Sequence, residues 1–345
     1  MIIVLIPGIG QKYLGARRWI DVGFAVIQPA ELLKITLAIY LAKWLETAIQ
    51  KRTRAFTYDR LKNVDLSIVL SKYNRADAEK LFPRRIHVVS NGIPDPCPDF
   101  ERHILPRRAA RFAARQKLAA GLPLSPGDLE HTGGDPRQFK VLYLAHCTRE
   151  KGLFDTIKGL ELANARLAQS QSPFSIQLMV AGNFVNAAER AEFDRLCDSP
   201  EGRASIRYLG FVSSTQKDDA LREADLFCFP TYYQNENQPV NLIEAMAFGL
   251  PILTTRWRSL PELLPPGYRC LVDIRSPEQI GDAFITSLTT EAPESFRQMF
   301  QRQFTLEKYL AGLAEAFHAV ESADDPAREM TLDHRQTAPN PPPAR

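Results

Sequence analysis

From residue 139 onward the chain alternates between two periods. Short apolar, β-branched runs recur at FKVLYLA (139–145), FSIQLMVAG (174–182), IRYLG (206–210), DLFCFP (225–230), PILTT (251–255) and CLVDI (270–274). Between them lie amphipathic stretches of helical period, such as LFDTIKGLELANARLA (153–168) and STQKDDALREA (214–224). Strands this apolar need cover on both faces, so the pattern predicts a parallel, doubly wound α/β sheet. Ligands of such sheets sit beyond the carboxyl ends of the strands, and the loops there are the place to look for chemistry.

Upstream, VDLSIVLSKYNRADAEKLF (64–82) and RRIHVVSNGI (84–93) predict strand, helix and a second strand closed by an Asn-Gly turn. They read as the tail of a preceding α/β domain. Proline-rich PDPCP (94–98), a basic helix RRAARFAARQKLAA (107–120) and a loop with Gly133-Gly134 follow. After Ser322 apolar periodicity ends, which predicts a disordered tail over 323–345.

The first 46 residues differ in character. Met1 to Gly10 is an apolar run, and Ile27 to Leu45 is a second one, interrupted by Glu31, Lys34 and Lys43. Neither reaches the roughly 20 uninterrupted apolar residues of a membrane span, and no small-residue cleavage site marks a signal peptide. The second run predicts a helix of membrane-like composition whose lysines snorkel.

Composition narrows the classes. With 345 residues, 45% hydrophobic and 24% charged, the chain can bury a sizeable core, and the length favours two domains. The formal net charge of +3 hides an asymmetry: residues 1–120 carry 21 Lys+Arg against 10 Asp+Glu, the rest 22 against 30. A basic third of this kind suits an anionic partner or a solvated face; the solvated face, without nucleic acid, is the reading adopted. Five scattered cysteines without a CxxC pair indicate a reducing compartment. Six dispersed histidines offer no ligand spacing, so no metal is expected.

Two loops carry candidate chemistry. After the 139–145 strand, HCTREKG brings His146, Arg149 and Lys151 to a short turn before a helix, where a cation can face a phosphate over the helix N-terminus. In YYQNENQPVNLIEAMAFGLPI, Asn237 to Pro239 reads as a helix start. The free amides of Val240, Asn241 and Leu242 would then face an anion, with Glu236 before the helix and Glu244 about a turn inside it.

These motifs in this order, with SKYNRADAEKLFP, IHVVSNGI, IRYLGFV, ADLFCFPTYY and TTRWRSLPELL, resemble the retaining GT-B glycosyltransferases of the family 4, group 1 type over residues 47–322. The resemblance implies a donor-binding domain at 94–322, a remnant of the N-terminal acceptor domain at 47–93, and transfer of a sugar from a nucleotide diphosphate sugar to a glycan or lipid-linked acceptor without metal or other cofactor. It assigns Glu236 to the sugar hydroxyls, Glu244 to the ribose, Lys151 to the leaving diphosphate, and Gly210, Phe211 and Val212 to the base. The family's usual Gly-Arg in the first loop is here Ala145-His146, and its Gly-Gly before the Pro-Glu pair is Arg258-Ser259.

Gly15, Arg17, Arg18, Trp19, Gln28, Pro29, Glu31 and Lys34 are similar to a short piece of the SEDS family of membrane glycan polymerases. Residues 1–46 thus imply a helical fragment able to associate with the inner membrane of a bacterium, the remainder being cytoplasmic. The family's glycine-rich acceptor loop has no counterpart here, so turnover is expected to be impaired. The alternatives are an inactive nucleotide-sugar-binding remnant and a membrane-associated SEDS-like fragment.

Overall fold

The computed structural model describes residues 64–80, 83–290 and 296–321, and the backbone of 10–13, 16–21 and 26–27. Two compact units are present: Met1–Asp65 with Leu81–Arg84, and Leu66–Lys80 with Arg85–Arg345. In the first, β1 (Gly10–Tyr13), β2 (Ala16–Asp21) and β3 (Val26–Ile27) form an antiparallel sheet in the order β1-β2-β3. The helical expectation for 1–46 therefore fails across this stretch. Gly10 and Gly15 punctuate a segment whose Tyr13, Trp19, Ile20 and Val26 favour extended backbone. The apolar run from 28 to 45, the proposed boundary at 46 and the tail from 323 to 345 lie outside the described residues.

The second unit begins with β4 (Leu66–Val69), α1 (Arg75–Glu79) and β5 (Arg85–Val88), the two strands parallel with Leu66 opposite Arg85. Strand, helix and strand are as the sequence predicts, but Asn91-Gly92 is not a turn. The chain runs on to bridge Ile93 with Thr305, its amide donating to the Phe304 carbonyl at 2.9 Å. Glycine suits position 92 because a Cβ there would stand 2.4 Å from the Thr305 carbonyl oxygen.

The body of the unit is a six-stranded parallel sheet. Its strands are β6 (Gln138–Leu144), β7 (Ser175–Ala181), β8 (Ile206–Gly210), β9 (Leu226–Phe229), β10 (Ile252–Thr255) and β11 (Leu271–Val272), in the order β11-β10-β9-β6-β7-β8. All six predicted strands are present. Chain order reverses between β6 and β9, which opens a crevice at their carboxyl ends.

Alternate residues of each strand feed two cores. Leu142, Met179 and Phe227 pack with α5 (Thr215–Glu223), α6 (Val240–Ala247) and α8 (Phe296–Gln303). Val141, Leu178 and Cys228 pack with α3 (Leu153–Gln169), α4 (Ala187–Asp198) and α7 (Pro277–Ser287). A last helix, α9, runs over Leu306–Glu321.

The basic helix α2 (Leu105–Ala119) is pinned to the body by its charges. Asp225, at the foot of β9, accepts from Arg111 at 2.8 Å, Arg115 at 2.7 Å and the Lys140 amide at 2.9 Å, all in a buried setting. Arg108 donates to the carbonyls of Phe248 and Leu221. Part of the basic excess of the first third is thus consumed inside the fold instead of forming a solvated face.

Candidate functional site

A cavity of about 500 Å³ opens at the crevice, and its lining comes from the carboxyl ends of four strands and the start of α6. Two glycines make the geometry possible. Gly152, with φ +84°, caps α3, and a Cβ there would meet the Pro230 carbonyl oxygen at 2.3 Å. Gly182, with φ +148°, follows β7, and a Cβ would meet the Ala145 oxygen at 1.8 Å. Only glycine accepts such backbone angles and such close approach at no cost. The Lys151-Gly152 step is therefore wedged between two strand ends, with Lys151 held against the site.

Lys151 and Glu236, 85 positions apart, meet there. The Lys151 ammonium donates to Glu236 Oε2 at 2.7 Å, and the buried Thr231 hydroxyl donates to the same oxygen at 3.1 Å. The ammonium also lies 4.4 Å from the centre of the Tyr233 ring and 5.6 Å from that of Phe229. The Tyr233 backbone is fixed in turn, since Trp257 Nε1 donates to its carbonyl at 2.8 Å. Among the described residues, Lys151 is the only lysine or arginine in the lining.

The remaining predicted residues divide. His146, Phe211, Val212, Val240 and Asn241 line the cavity with Lys151 and Glu236. Gly210 ends β8 at φ +69° just before Phe211, and its carbonyl accepts from the Gly182 amide at 2.8 Å. Asn241 donates from Nδ2 to the Leu144 carbonyl at 2.7 Å, tying α6 to the end of β6. Glu244 lies outside the lining, on α6, where Lys217 of α5 reaches it at 2.5 Å.

Four expectations need correction. The Leu242 amide is not free: it donates to Asn241 Oδ1 at 2.9 Å and to the Pro239 carbonyl at 3.2 Å, and Leu242 is fully buried. The helix starts one position later than proline in its first turn would require, with Pro239 itself as the cap, so the exposed amides are those of the first residues, Val240 and Asn241. Arg149 is drawn away from the cavity, because its amide donates to Glu189, its guanidinium to Glu192 at 2.6 Å, and it stacks 4.4 Å from the Phe154 ring. Asn237 is a structural hub whose Oδ1 accepts from Ser259 at 3.0 Å and Ser71 at 3.4 Å, while the neighbouring Gln238 is bonded to Asn91 and Leu70.

Thr231, Tyr233, Lys217, Gly182 and Asn183 were not singled out by sequence reasoning. Gly182, placed where a predicted strand ends, was the one with a usable signal. Lys217 sits on an ordinary amphipathic helix, and nothing in its neighbourhood advertises a partner on α6.

The profile described as glycosyl transferases group 1 matches residues 129–303, and the chain belongs to that family. A second profile, described as cell cycle protein, matches residues 1–72. Over 171 residues the chain is 25% identical to the amylovoran biosynthesis glycosyltransferase AmsK of Erwinia amylovora, covering 45% of this chain and 40% of that protein. Over 45 residues it is 49% identical to the probable peptidoglycan glycosyltransferase FtsW of Halorhodospira halophila, covering 13% of this chain and 11% of that one. Among solved structures, Anabaena Alr3699/HepE in complex with UDP and glucose matches with TM-score 0.51 at 14% identity, covering 74% of this chain and 63% of that one. The fold is thus that of the GT-B glycosyltransferases. The chain spans less than two thirds of the length of each of these three proteins.

Proposed function

We propose that the cavity at the β6/β9 crevice binds a nucleoside diphosphate sugar, and that the chain transfers the sugar, with retention, to a glycan or lipid-linked acceptor. The observation that carries this reading is the pairing of Lys151 with Glu236 in front of the first turn of α6. A single cation and two helix-terminal amides face the same space as a buried carboxylate. Cation and amides suit a diphosphate; a carboxylate that only accepts hydrogen bonds suits sugar hydroxyls. As the bond to the anomeric carbon breaks, negative charge grows on the departing diphosphate. Groups fixed in advance around that charge lower the barrier and need no metal to do so.

In this reading Phe211, 67% exposed at the rim, offers its ring to the base, and Glu244, held by Lys217, is assigned to the ribose. His146 and Val212 complete the wall between base and phosphates. The similarity to AmsK and to HepE with UDP and glucose supports a sugar nucleotide as the ligand. An acceptor must be held against the anomeric carbon, and the β4–β5 segment reaches the 236–239 loop through the Ser71–Asn237 and Asn91–Gln238 hydrogen bonds.

Calorimetry with full-length chain and the UDP, GDP and ADP sugars, each with a chelator present, tests the reading. One base series should bind, and Lys151→Ala should weaken it by about 1.5–3 kcal/mol through loss of a charge-assisted phosphate contact. Absence of binding across all three series would sink the proposal, and a strict need for divalent metal would sink its metal-free part.

A further inference from the structure

The cation of the cavity already has a partner within the chain. Lys151 is 2.7 Å from Glu236, whose side chain is 8% exposed, and no second lysine or arginine among the described residues lines the cavity. An incoming diphosphate therefore does not meet a free ammonium. If Lys151 stays with Glu236, the diphosphate approaches a carboxylate and is repelled. If Lys151 turns to the diphosphate, Glu236 remains buried with the Thr231 hydroxyl at 3.1 Å as its remaining hydrogen-bond donor. Removing one partner of a buried ion pair leaves the other without compensation, and that cost falls on the ligand. The Tyr233 ring, 4.4 Å from the ammonium and anchored by Trp257, attracts the cation whichever anion it faces, so a change of partner needs little travel.

A ligand that brings hydroxyl groups changes the balance. Sugar hydroxyls placed beside Glu236 donate to it as Lys151 leaves, so the carboxylate exchanges one set of donors for another. We infer that the Lys151–Glu236 pair is a partner-exchange device that discriminates against free nucleoside diphosphate in favour of sugar nucleotide, and so helps to expel the diphosphate left after transfer. This inference rests on the sugar-nucleotide reading above. It adds that Glu236 acts against diphosphate alone as well as for the sugar.

The diagnostic consequence has an unusual sign. Glu236→Gln removes the competing charge but keeps the size of the side chain. It should bind the free diphosphate of the cognate base about threefold or more tighter than the parent chain, while binding the sugar nucleotide more weakly. In a Lys151→Met background the same substitution should give no tightening, because there is no cation to release. Calorimetry on the full chain, with UDP and UDP-glucose, GDP and GDP-mannose, and ADP and ADP-glucose as probes, reads all of these, and thermal melting confirms that each variant is folded. If Glu236→Gln is unfolded, Glu236→Asp retracts the carboxylate by one methylene and should tighten diphosphate binding in the same direction to a smaller extent. Unchanged or weaker diphosphate binding in the folded variant overturns the inference and leaves the sugar-nucleotide reading standing. No binding of any probe by the parent chain overturns both.

Discussion

Cys228 lies in β9 and Cys147 in the loop after β6, and both are fully buried. Burial disfavours the thiolate and pushes both thiols up to about 12 from an ordinary 9.0, and Cys97 to about 11. Their folded values are raised, so the unfolded chain loses these protons first. Stability is therefore undiminished by them below about pH 9 and declines as pH climbs from there towards 12. Urea titrations at pH 7.5, 9 and 10.5 should show a lower midpoint at the highest value and none of this loss between the first two, and a midpoint that rises with pH would contradict the burial argument. The same residue-scale view explains what could be read in advance at the site. Lys151 and Glu236 were legible because each stands at a strand-to-helix junction where residue type alone suggests a task. Asn237 and Arg149 look equally suitable in one dimension, yet Ser259 and Ser71 engage the first and Glu192 the second. Those partners lie 22, 166 and 43 positions away, and no local pattern encodes such a competition.

At the scale of elements, strands and helices followed directly from hydrophobic period, since central strands such as β9 and β10 are buried on both faces and the helices between the strands bury one side against one of the two cores. The helix at 105–119 was legible too, but the destination of its charges was not. A run of arginines at helical spacing reads as a wet surface until Asp225, 110 positions from Arg115, is placed beneath it. Asp225 receives two guanidinium groups and the Lys140 amide, so it fastens α2, β6 and β9 together. Asp225→Ala would leave Arg111 and Arg115 buried without their anion. It should cost about 3–5 kcal/mol of stability, the range for breaking one side of a buried pair. Chemical denaturation measures this, and a loss below about 1 kcal/mol would show that the arginines find other acceptors. Asp225 stands at the amino end of β9 whereas the cavity opens at the carboxyl ends of the strands, and α6 is tied to β6 separately through Asn241, so nucleotide binding at a temperature where the variant is folded should be retained.

At the scale of the whole chain, two family profiles match separate parts of one polypeptide, residues 1–72 and residues 129–303. The structure draws its own division: β4, α1 and β5 go with the sheet, while Met1–Asp65 with Leu81–Arg84 forms the other unit. Every residue of the cavity, from Leu144 to Asn241, belongs to the larger unit. No helix among the described residues is long and apolar enough to cross a membrane, and the apolar run from 28 to 45 lies outside them. The expectation of membrane association rests on the composition of that run, largely apolar with Glu31, Lys34 and Lys43 within it. Nucleotide binding and membrane association should then be separable. A chain starting at residue 47 should keep the nucleotide affinity of the full chain within about twofold, since the described lining of the cavity belongs to the larger unit. In flotation with vesicles of zwitterionic and anionic lipid, the full chain should rise with the lipid and the shortened one should not. Equal flotation would move the membrane contact to the larger unit, whose Ile68 and Val88 are exposed on the β4–β5 pair. A shortened chain that floats poorly but has also lost its nucleotide would instead show that the two units depend on each other.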